Sequence, residues 1–512
     1  MSKQIVIIGG GATAVSAFAH LAGSSGVERV TFVAPGPIGL GTAFGTTDPA
    51  LLCNTSVDVT ALKADGRSDF LDYLASRGHP AHRADFAPRY LVGQYCRERF
   101  WQYSDTARRA GTRVTHIRDR AVAIDRHTDA DTDTDATAYR VALAGGGSVT
   151  GTDILFCAGA DNPVLPPELR PYAGHPRLMA TPYPSHKLRR LPADARVLVL
   201  GTKLSAIDAA VTLCRTGNRR TVMTSPSGML PAVRNRLVRP AAPRLRQDVW
   251  AALAASGTPE GPADDTALDR TVARELLSAI RAGAPGARVA RPRLSGRPAT
   301  LLREERHRAA AGRIPWEDVM AELIDTVNAQ VSRWRADVRA RVLPRYRALM
   351  TRYISAFPLR NATLLDGWLT EGRLRVAPRY PERMEPSGTG WSVRWPDGTT
   401  ETFDHIVCAS GYRVAPLTTT ATGVRIGGGA ADGAAVEADD AGPRPEILET
   451  LRIRLRPDGP AERIWALGAG AGARFPIVNY LRAAAQHAAV VADQLGQYSP
   501  GTTEPLAERT AL

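Results

Sequence analysis

The run Gln4-Ile5-Val6-Ile7-Ile8 reads as an apolar strand and opens directly into Gly9-Gly10-Gly11-Ala12-Thr13-Ala14-Val15, the start of an alanine-rich helical stretch. Gly9, Gly11 and Ala14 have the spacing Gly-x-Gly-x-x-Ala. At a strand–turn–helix junction the first glycine makes the tight turn and the second lets backbone approach a pyrophosphate. The small third residue permits close helix–strand packing. The helix N-terminus, with the N–H groups of Ala12 and Thr13, offers its positive dipole end to the phosphates. The chemistry expected is dinucleotide binding, against the competing reading of an ordinary glycine-rich turn. Arg196-Val197-Leu198-Val199-Leu200 followed by Gly201-Thr202-Lys203-Leu204-Ser205-Ala206 repeats the pattern, with Lys203 in the place of the middle glycine. A plain βα turn is one reading. A nicotinamide-nucleotide site, with Lys203 meeting a phosphate, is the preferred one. Arg219 and Arg220 are candidates for a 2′-phosphate contact, or else solvated surface charges.

These turns need strands and helices to hold them. Val30-Thr31-Phe32-Val33 reads as the second strand and ends in Ala34-Pro35-Gly36. Many dinucleotide sites carry an acidic residue there for a ribose, so this chain must make that contact elsewhere. A loop follows through Gly39-Leu40-Gly41-Thr42-Ala43-Phe44 to Leu51-Leu52-Cys53-Asn54. Helical patterns lie around Asp69–Leu74 and from Arg89 to Ala110. Residues 112–125 and 138–156 look like strands. Asp129, Asp131, Asp133 and Asp135 between them lack the glycine and terminal glutamate of a cation loop, so they read as a solvated hairpin loop. Residues 241–355 read as a helical insertion with one long helix from Trp316 to Ser355, in which Val319, Leu323, Val327 and Val331 recur at helical spacing. Its arginines (Arg333, Arg335, Arg339, Arg341, Arg345 and Arg347) read as a solvated face in preference to a ligand site. Strands return up to Asp404–Tyr412. Ile464–Gly470 is a last strand and glycine turn, leading into a helix from Asn479 to Leu495. The fold class expected is α/β, with two Rossmann-like dinucleotide-binding domains and a helical insertion.

Composition narrows the function. A chain of 512 residues suggests two or three domains, and 44% hydrophobic with 23% charged residues is ordinary for a globular protein. No apolar run reaches the length of a membrane span. The N-terminal apolar stretch lacks a basic region and a small-residue cleavage site, so it reads as a core strand and not a signal peptide. The five cysteines are scattered and never paired as C-x-x-C. This argues for a reducing, cytoplasmic compartment and no zinc site. The formal charge of +14 is carried almost wholly by arginine. It reflects either a genome bias towards arginine or a basic pocket for an anionic substrate or NADPH. Nucleic-acid binding is not expected, since no recognition motif or aromatic interleaving is present. His186 and His487 lie near the expected site loops and read as structural histidines.

Two dinucleotide motifs in one chain, with a glycine turn near the C-terminus, resemble the flavoproteins that have two dinucleotide-binding domains. The details look like flavin-dependent N-hydroxylating monooxygenases, of the ornithine/lysine hydroxylase and nitrosuccinate-synthase type, and the related FAD/NAD(P)-binding family that includes a urate hydroxylase. Gly39 to Asn54 resembles the latter family's G-x-G-x-A-[YF] segment followed by a leucine pair and Asn. Asp58-Val59-Thr60 to Asp69-Phe70-Leu71-Asp72-Tyr73-Leu74 is similar to the N-hydroxylase segment ending in a Phe-Leu-x-Tyr-Leu helix, with Pro88-Arg89-Tyr90 and Tyr95 like the helix after it. Asp404 to Tyr412 with Pro416 resembles the Ala-Thr-Gly-Tyr motif, with Ser410 for Thr.

The resemblance implies FAD and a nicotinamide cofactor, NADPH by preference and NADH possible. Their sites would take in Gly9, Gly11, Ala12, Thr13, Ala14, Gly41, Phe44, Asn54, Gly201, Lys203, Leu204, Ser205, Arg219, Arg220, Ser410, Gly411 and Gly468. It implies an FAD-binding domain of residues 1–180 and 417–500, an NAD(P)H-binding domain of 181–240 and 356–416, the insertion 241–355, and a tail 501–512. The implied reaction is hydride transfer to FAD, then O₂, a C4a-hydroperoxyflavin, and oxygenation of a small-molecule amine. The arginine surplus makes a small acidic amino acid such as aspartate the expected substrate, with Arg89 as its carboxylate partner. Rival readings are ring hydroxylation of a heterocycle or aromatic, and a flavoprotein that only transfers electrons or senses redox state. No metal or protein nucleophile is demanded. An oligomer is possible.

Overall fold

The computed structural model describes residues 2–127, 138–255, 265–286, 288–289, 292–427 and 442–497. A seven-stranded sheet has the order Glu446–Ile447, Arg452–Arg454, Ala461–Ala466, Asp153–Phe156, Lys3–Ile8, Val27–Val33, Arg113–Ile117. Its last five strands run parallel. Strand side chains alternate between faces, and the N-terminal strand shows the consequence. Ile5 and Ile7 pack with Phe18, Tyr95 and Ala484 under the helices Ala12–Leu21, Arg89–Arg109 and Leu481–Gln497. Val6 and Ile8 pack on the opposite face with Ile124, Val141 and Val424 of a five-stranded antiparallel sheet.

A second sheet repeats this plan. Its order is Leu374–Val376, Arg220–Thr224, Arg196–Leu200, His405–Cys408, Leu178–Met179, with every pairing parallel. Val197 and Val199 face Ile207, Val211 and Leu365 of the helices Leu204–Cys214 and Leu359–Thr370. Leu198 and Leu200 face Trp391, Val393 and Phe403 of a three-stranded antiparallel sheet. An antiparallel pair, Ala160–Pro163 with Tyr412–Val414, lies on the two chain crossings between the sheets.

The structure divides several segments that the sequence presents as one. Residues 112–125 make two strands, Arg113–Ile117 in the parallel sheet and Ala121–His127 in the antiparallel layer, because the chain crosses between layers at Arg118–Arg120. Residues 138–156 likewise serve three strands. The aspartates 129, 131, 133 and 135 lie outside the described residues, as does the tail 501–512. The helix expected from Trp316 to Ser355 is broken into Glu317–Val331 and Ala336–Leu349, followed by a π turn at Met350–Ile354. The break lets Trp334 fold back onto Val331, Val338 and Val342 in a small core of its own. Arg339 Nη1 donates to the Trp334 carbonyl at the break, so this arginine is buried and not part of a solvated face. Arg333, Arg335 and Arg345 do lie outward, in exposed pairs with Glu449, Asp337 and Asp269. Among the described residues no helix is long and apolar enough to cross a membrane.

Candidate functional site

Gly9 ends the first strand with φ +124°, and a Cβ there would stand 2.6 Å from the Cys157 carbonyl oxygen. Only glycine allows that turn. Gly11 is different. It caps the helix Ala12–Leu21 with an extended backbone, φ −83° and ψ −172°, that any residue adopts. A Cβ on Gly11 would find nothing nearer than Gly41 Cα at 3.8 Å. The two glycines are in contact, since a Cβ on Gly41 would stand 3.1 Å from Gly11 Cα, and they lie beside a helix N-terminus whose first N–H groups lack helical acceptors. Gly468 lies at the same helix start. With φ +56°, its missing Cβ would stand 2.6 Å from Thr13 Oγ1. Its N–H donates to His487 Nδ1 at 3.1 Å. His487 is buried, and desolvation lowers its pKa to about 4, which keeps the ring neutral and able to accept.

The fold thus brings Gly9, Gly11, Ala12, Thr13, Gly41 and Gly468 to one place. Ala14 is fully buried beneath them as the packing residue. Phe44 ends the turn Gly41–Phe44, whose carbonyl sits against Gly93 of the helix Arg89–Arg109. Asn54 is half-buried further along the same loop. Ala34 closes the second strand without a carboxylate, and its carbonyl meets His116 Nε2 at 3.0 Å.

The second turn has the same backbone. Gly201 has φ +141°, and its missing Cβ would lie 2.4 Å from the Ala409 carbonyl oxygen. Lys203 caps the helix Leu204–Cys214 with φ −103° and ψ −161°, the geometry of Gly11. Ser205 is half-buried in the first helical turn, beside half-buried Leu204. Ser410 Oγ approaches the Leu200 carbonyl at 3.4 Å, and Gly411, φ +103°, follows it. Lys203 is exposed over the residue as a whole, yet desolvation lowers its pKa with no carboxylate to compensate. An anion placed there would raise it again and gain a charged partner.

Arg219 and Arg220 lie at the wrong end for a 2′-phosphate. They precede or begin the strand Arg220–Thr224, while ligands of parallel sheets bind beyond the carboxyl ends. Five residues of strand separate the two ends, about 16 Å. Arg219 is also buried and donates to the carbonyls of Pro192, Thr216 and Arg189 at 2.9, 3.0 and 3.1 Å. The residues at the correct end are Thr224 to Gly228 and Arg379, which follows the neighbouring strand Leu374–Val376. Thr224 Oγ1 donates to the Arg379 carbonyl at 2.7 Å. The exposed Arg379 guanidinium makes no hydrogen bond or ion pair among the described residues.

Arg89, the expected substrate partner, is already held. Its Nη1 lies 2.5 Å from Asp208 Oδ2, and its Nε donates to the Leu52 carbonyl at 3.0 Å. Nη1 also donates to Tyr183 Oη at 3.0 Å, and Tyr183 donates to Asp208. Burial opposes the Arg89 charge, but Asp208 outweighs it and holds the pKa above the ordinary arginine range. This cluster joins the first sheet's longest helix to the second turn's helix. Tyr183 stacks at 6.1 Å on Tyr412 of the crossing strands. Sequence reasoning missed Asp208, although one carboxylate within the apolar helix Leu204–Cys214 was a signal. It had no signal for Arg379. His186 is exposed at the start of the short helix His186–Arg189, whose buried Leu188 packs in one core with Ile207 and Val211.

A family model described as FAD-NAD(P)-binding matches residues 6–160. No curated protein matches the sequence. Solved structures do match the fold. An ornithine hydroxylase from Pseudomonas aeruginosa is 12% identical with a TM-score of 0.57, covering 97% of this chain and 99% of its own. An ornithine N-hydroxylase from Kutzneria sp. 744, holding reduced FAD, NADP+ and L-ornithine, is 14% identical with a TM-score of 0.54 and the same 97% and 99% coverage. An L-lysine 6-monooxygenase from Pseudomonas syringae is 14% identical with a TM-score of 0.55, again over 97% and 99%.

Proposed function

We propose that this chain is an FAD-dependent, NADPH-consuming monooxygenase that oxygenates the amine nitrogen of a small amino acid. The observation that carries the reading is the pairing of two βα turns with one backbone geometry, at the carboxyl ends of two parallel sheets, joined by a buried cluster. The match of residues 6–160 to an FAD-NAD(P)-binding model supports the first as the flavin site. The likeness of the whole fold to amino-acid hydroxylases supports the choice of oxygenation.

The flavin pyrophosphate would be held over the start of the helix Ala12–Leu21, by the N–H groups of Ala12 and Thr13, with the bare backbone of Gly11 and Gly41 beside it and Gly468 bearing on Thr13. Lys203 offers its ammonium to the nicotinamide nucleotide's phosphates, beside Leu204 and Ser205. Arg379 and the hydroxyls of Ser225 and Ser227 stand where the 2′-phosphate would lie. FAD, when bound, accepts hydride and activates O₂, so the protein need only bind, orient and exclude water. An amine substrate must arrive unprotonated, so turnover rises with pH as its ammonium titrates.

The protein's thiols take no part. All five cysteines are buried, and desolvation pushes Cys53 up to about 12. The acidic preference expected from the arginine surplus loses Arg89, which Asp208 already holds. Aspartate therefore enters as one arm of the test. The flavin-loaded enzyme is given NADPH, O₂ and a panel of amines, amino acids and heterocycles, with coupled NADPH and O₂ loss and product mass as readouts. Oxygen gained on nitrogen supports the reading. Oxygen gained on carbon replaces it with ring hydroxylation. NADPH oxidation that yields only peroxide with every compound leaves an electron-transfer protein.

A further inference from the structure

A cavity of about 590 Å³ opens between residues 78–88, the start of the helix Arg89–Arg109, and Pro358–Arg360. Its size falls within the roughly 300–1,000 Å³ span of small-molecule sites. It adjoins the expected flavin loop, since Leu52 lines it and Leu52 is held by Arg89 through the 3.0 Å bond to its carbonyl. Its floor is apolar, with Leu52, Val57, Leu74 and Leu91 all buried there. Half-buried Phe86, in the loop before Pro88, and half-buried Tyr90, in the first turn of the helix, stand on its wall.

The charged groups sit at the rim. Arg360 is exposed and has no hydrogen bond or ion pair among the described residues. The helices Arg89–Arg109 and Leu359–Thr370 both begin at this cavity, behind Pro88 and Pro358, neither of which supplies a side-chain cap. Their positive ends add to the field of Arg360. The one carboxylate in the lining, Asp85, is exposed and accepts from the His82 N–H at 2.7 Å.

We infer that this cavity is the substrate pocket, and that it takes a molecule with a single carboxylate at Arg360 and an apolar, ring-sized body laid on Leu52, Leu74 and Tyr90. The inference rests on the monooxygenase reading for its chemistry. Among the described residues Arg360 is the one arginine or lysine in the lining, where only His79, Tyr90 and Asn235 offer other side-chain donors. A second carboxylate laid on the apolar floor would lack a charged partner, which is costly. A small dicarboxylate is therefore the wrong shape and the wrong charge for this cavity.

The test is calorimetric binding to the flavin-loaded enzyme, with 3-phenylpropionate as the probe and succinate and 3-phenylpropanamide as controls. The probe should bind at least about tenfold more tightly than succinate. Arg360→Gln should weaken the probe about tenfold and leave the uncharged amide unchanged, while Arg360→Lys should keep most of the affinity. Ala84→Trp, from a half-buried lining residue, should fill the cavity and abolish both. Flavin content and circular dichroism verify each variant's fold. Absent probe binding, succinate binding as tight as the probe, or an Arg360→Gln variant that loses amide and acid equally overturns the inference. Binding is read without turnover, so the two readings fail separately. Intact probe binding in an enzyme that never couples NADPH to oxygenation leaves the pocket standing and removes the monooxygenase.

Discussion

The two βα turns share a backbone and differ in what fills their third position. Gly9 and Gly201 both sit at strongly positive φ, with a neighbouring carbonyl where a Cβ would be. Both are architectural, and each lets its turn pass over an adjacent strand's end. Gly11 and Lys203 both cap a helix in extended conformations open to any residue. The backbone at 11 thus accepts a Cβ, in contact with Gly41. In the proposed function glycine there leaves backbone free for a phosphate, whereas at 203 the chain puts a cation in the same position.

The sharpest way to break this comparison is Gly11→Val. A branched side chain at the helix start should abolish flavin retention, read as the absorbance of the purified protein, while circular dichroism shows the apo fold persisting. Gly9→Ala should instead disrupt folding itself. A Gly11→Val protein with full flavin occupancy would remove the first turn from the flavin site.

The link between the turns is expected to matter next. Asp208→Asn leaves the buried Arg89 without its counter-charge and should cost about 3–5 kcal/mol of stability in denaturant titration. A loss near zero would mean that water reaches Arg89 and that the cluster does not tie the halves together.

The first cradle alone depends on a neutral histidine. His487 has its pKa lowered to about 4, below the unfolded value near 6.5. The unfolded chain then binds the extra proton first. Its stabilisation is complete above about pH 6.5 and is lost as pH falls towards 4, to the extent of about 3 kcal/mol. His487→Phe should flatten that part of the stability–pH curve. An unchanged slope would assign the acid sensitivity elsewhere.

The second turn gives the smallest effects. Lys203→Ala should raise KM for NADPH about tenfold and leave flavin content unchanged. Arg379→Gln should narrow the preference for NADPH over NADH by a similar factor, while Arg220→Gln leaves it alone. Stopped-flow flavin reduction at varied cofactor concentration measures both, and a shift for Arg220 with none for Arg379 would reverse the assignment.

Both strand–turn–helix units were legible in the sequence, because the patterns that encode them are local. Ile5 to Ile8 and Val197 to Leu200 alternate between two buried faces, and a glycine follows each where the chain must turn. The α/β class and the grouping of Gly9, Gly11 and Thr13 follow from spacing alone. The tertiary structure decided which charges are free. Arg89 looked available beside the flavin loop, but Asp208, distant in sequence, takes up its charge. Arg219 and Arg220 looked suited to a phosphate, but strand direction puts them at the far end of the sheet. Arg379 has no motif, and becomes a candidate only because it follows the strand Leu374–Val376, which pairs with Arg220–Thr224. The helix Trp316–Ser355 kept its period on paper and broke at Trp334, where burying the indole outweighs continuing the turn. Periodicity and turn chemistry act over a few residues, so sequence carries them. Charge pairing and strand order depend on which distant segments meet, and only the packed chain sets that.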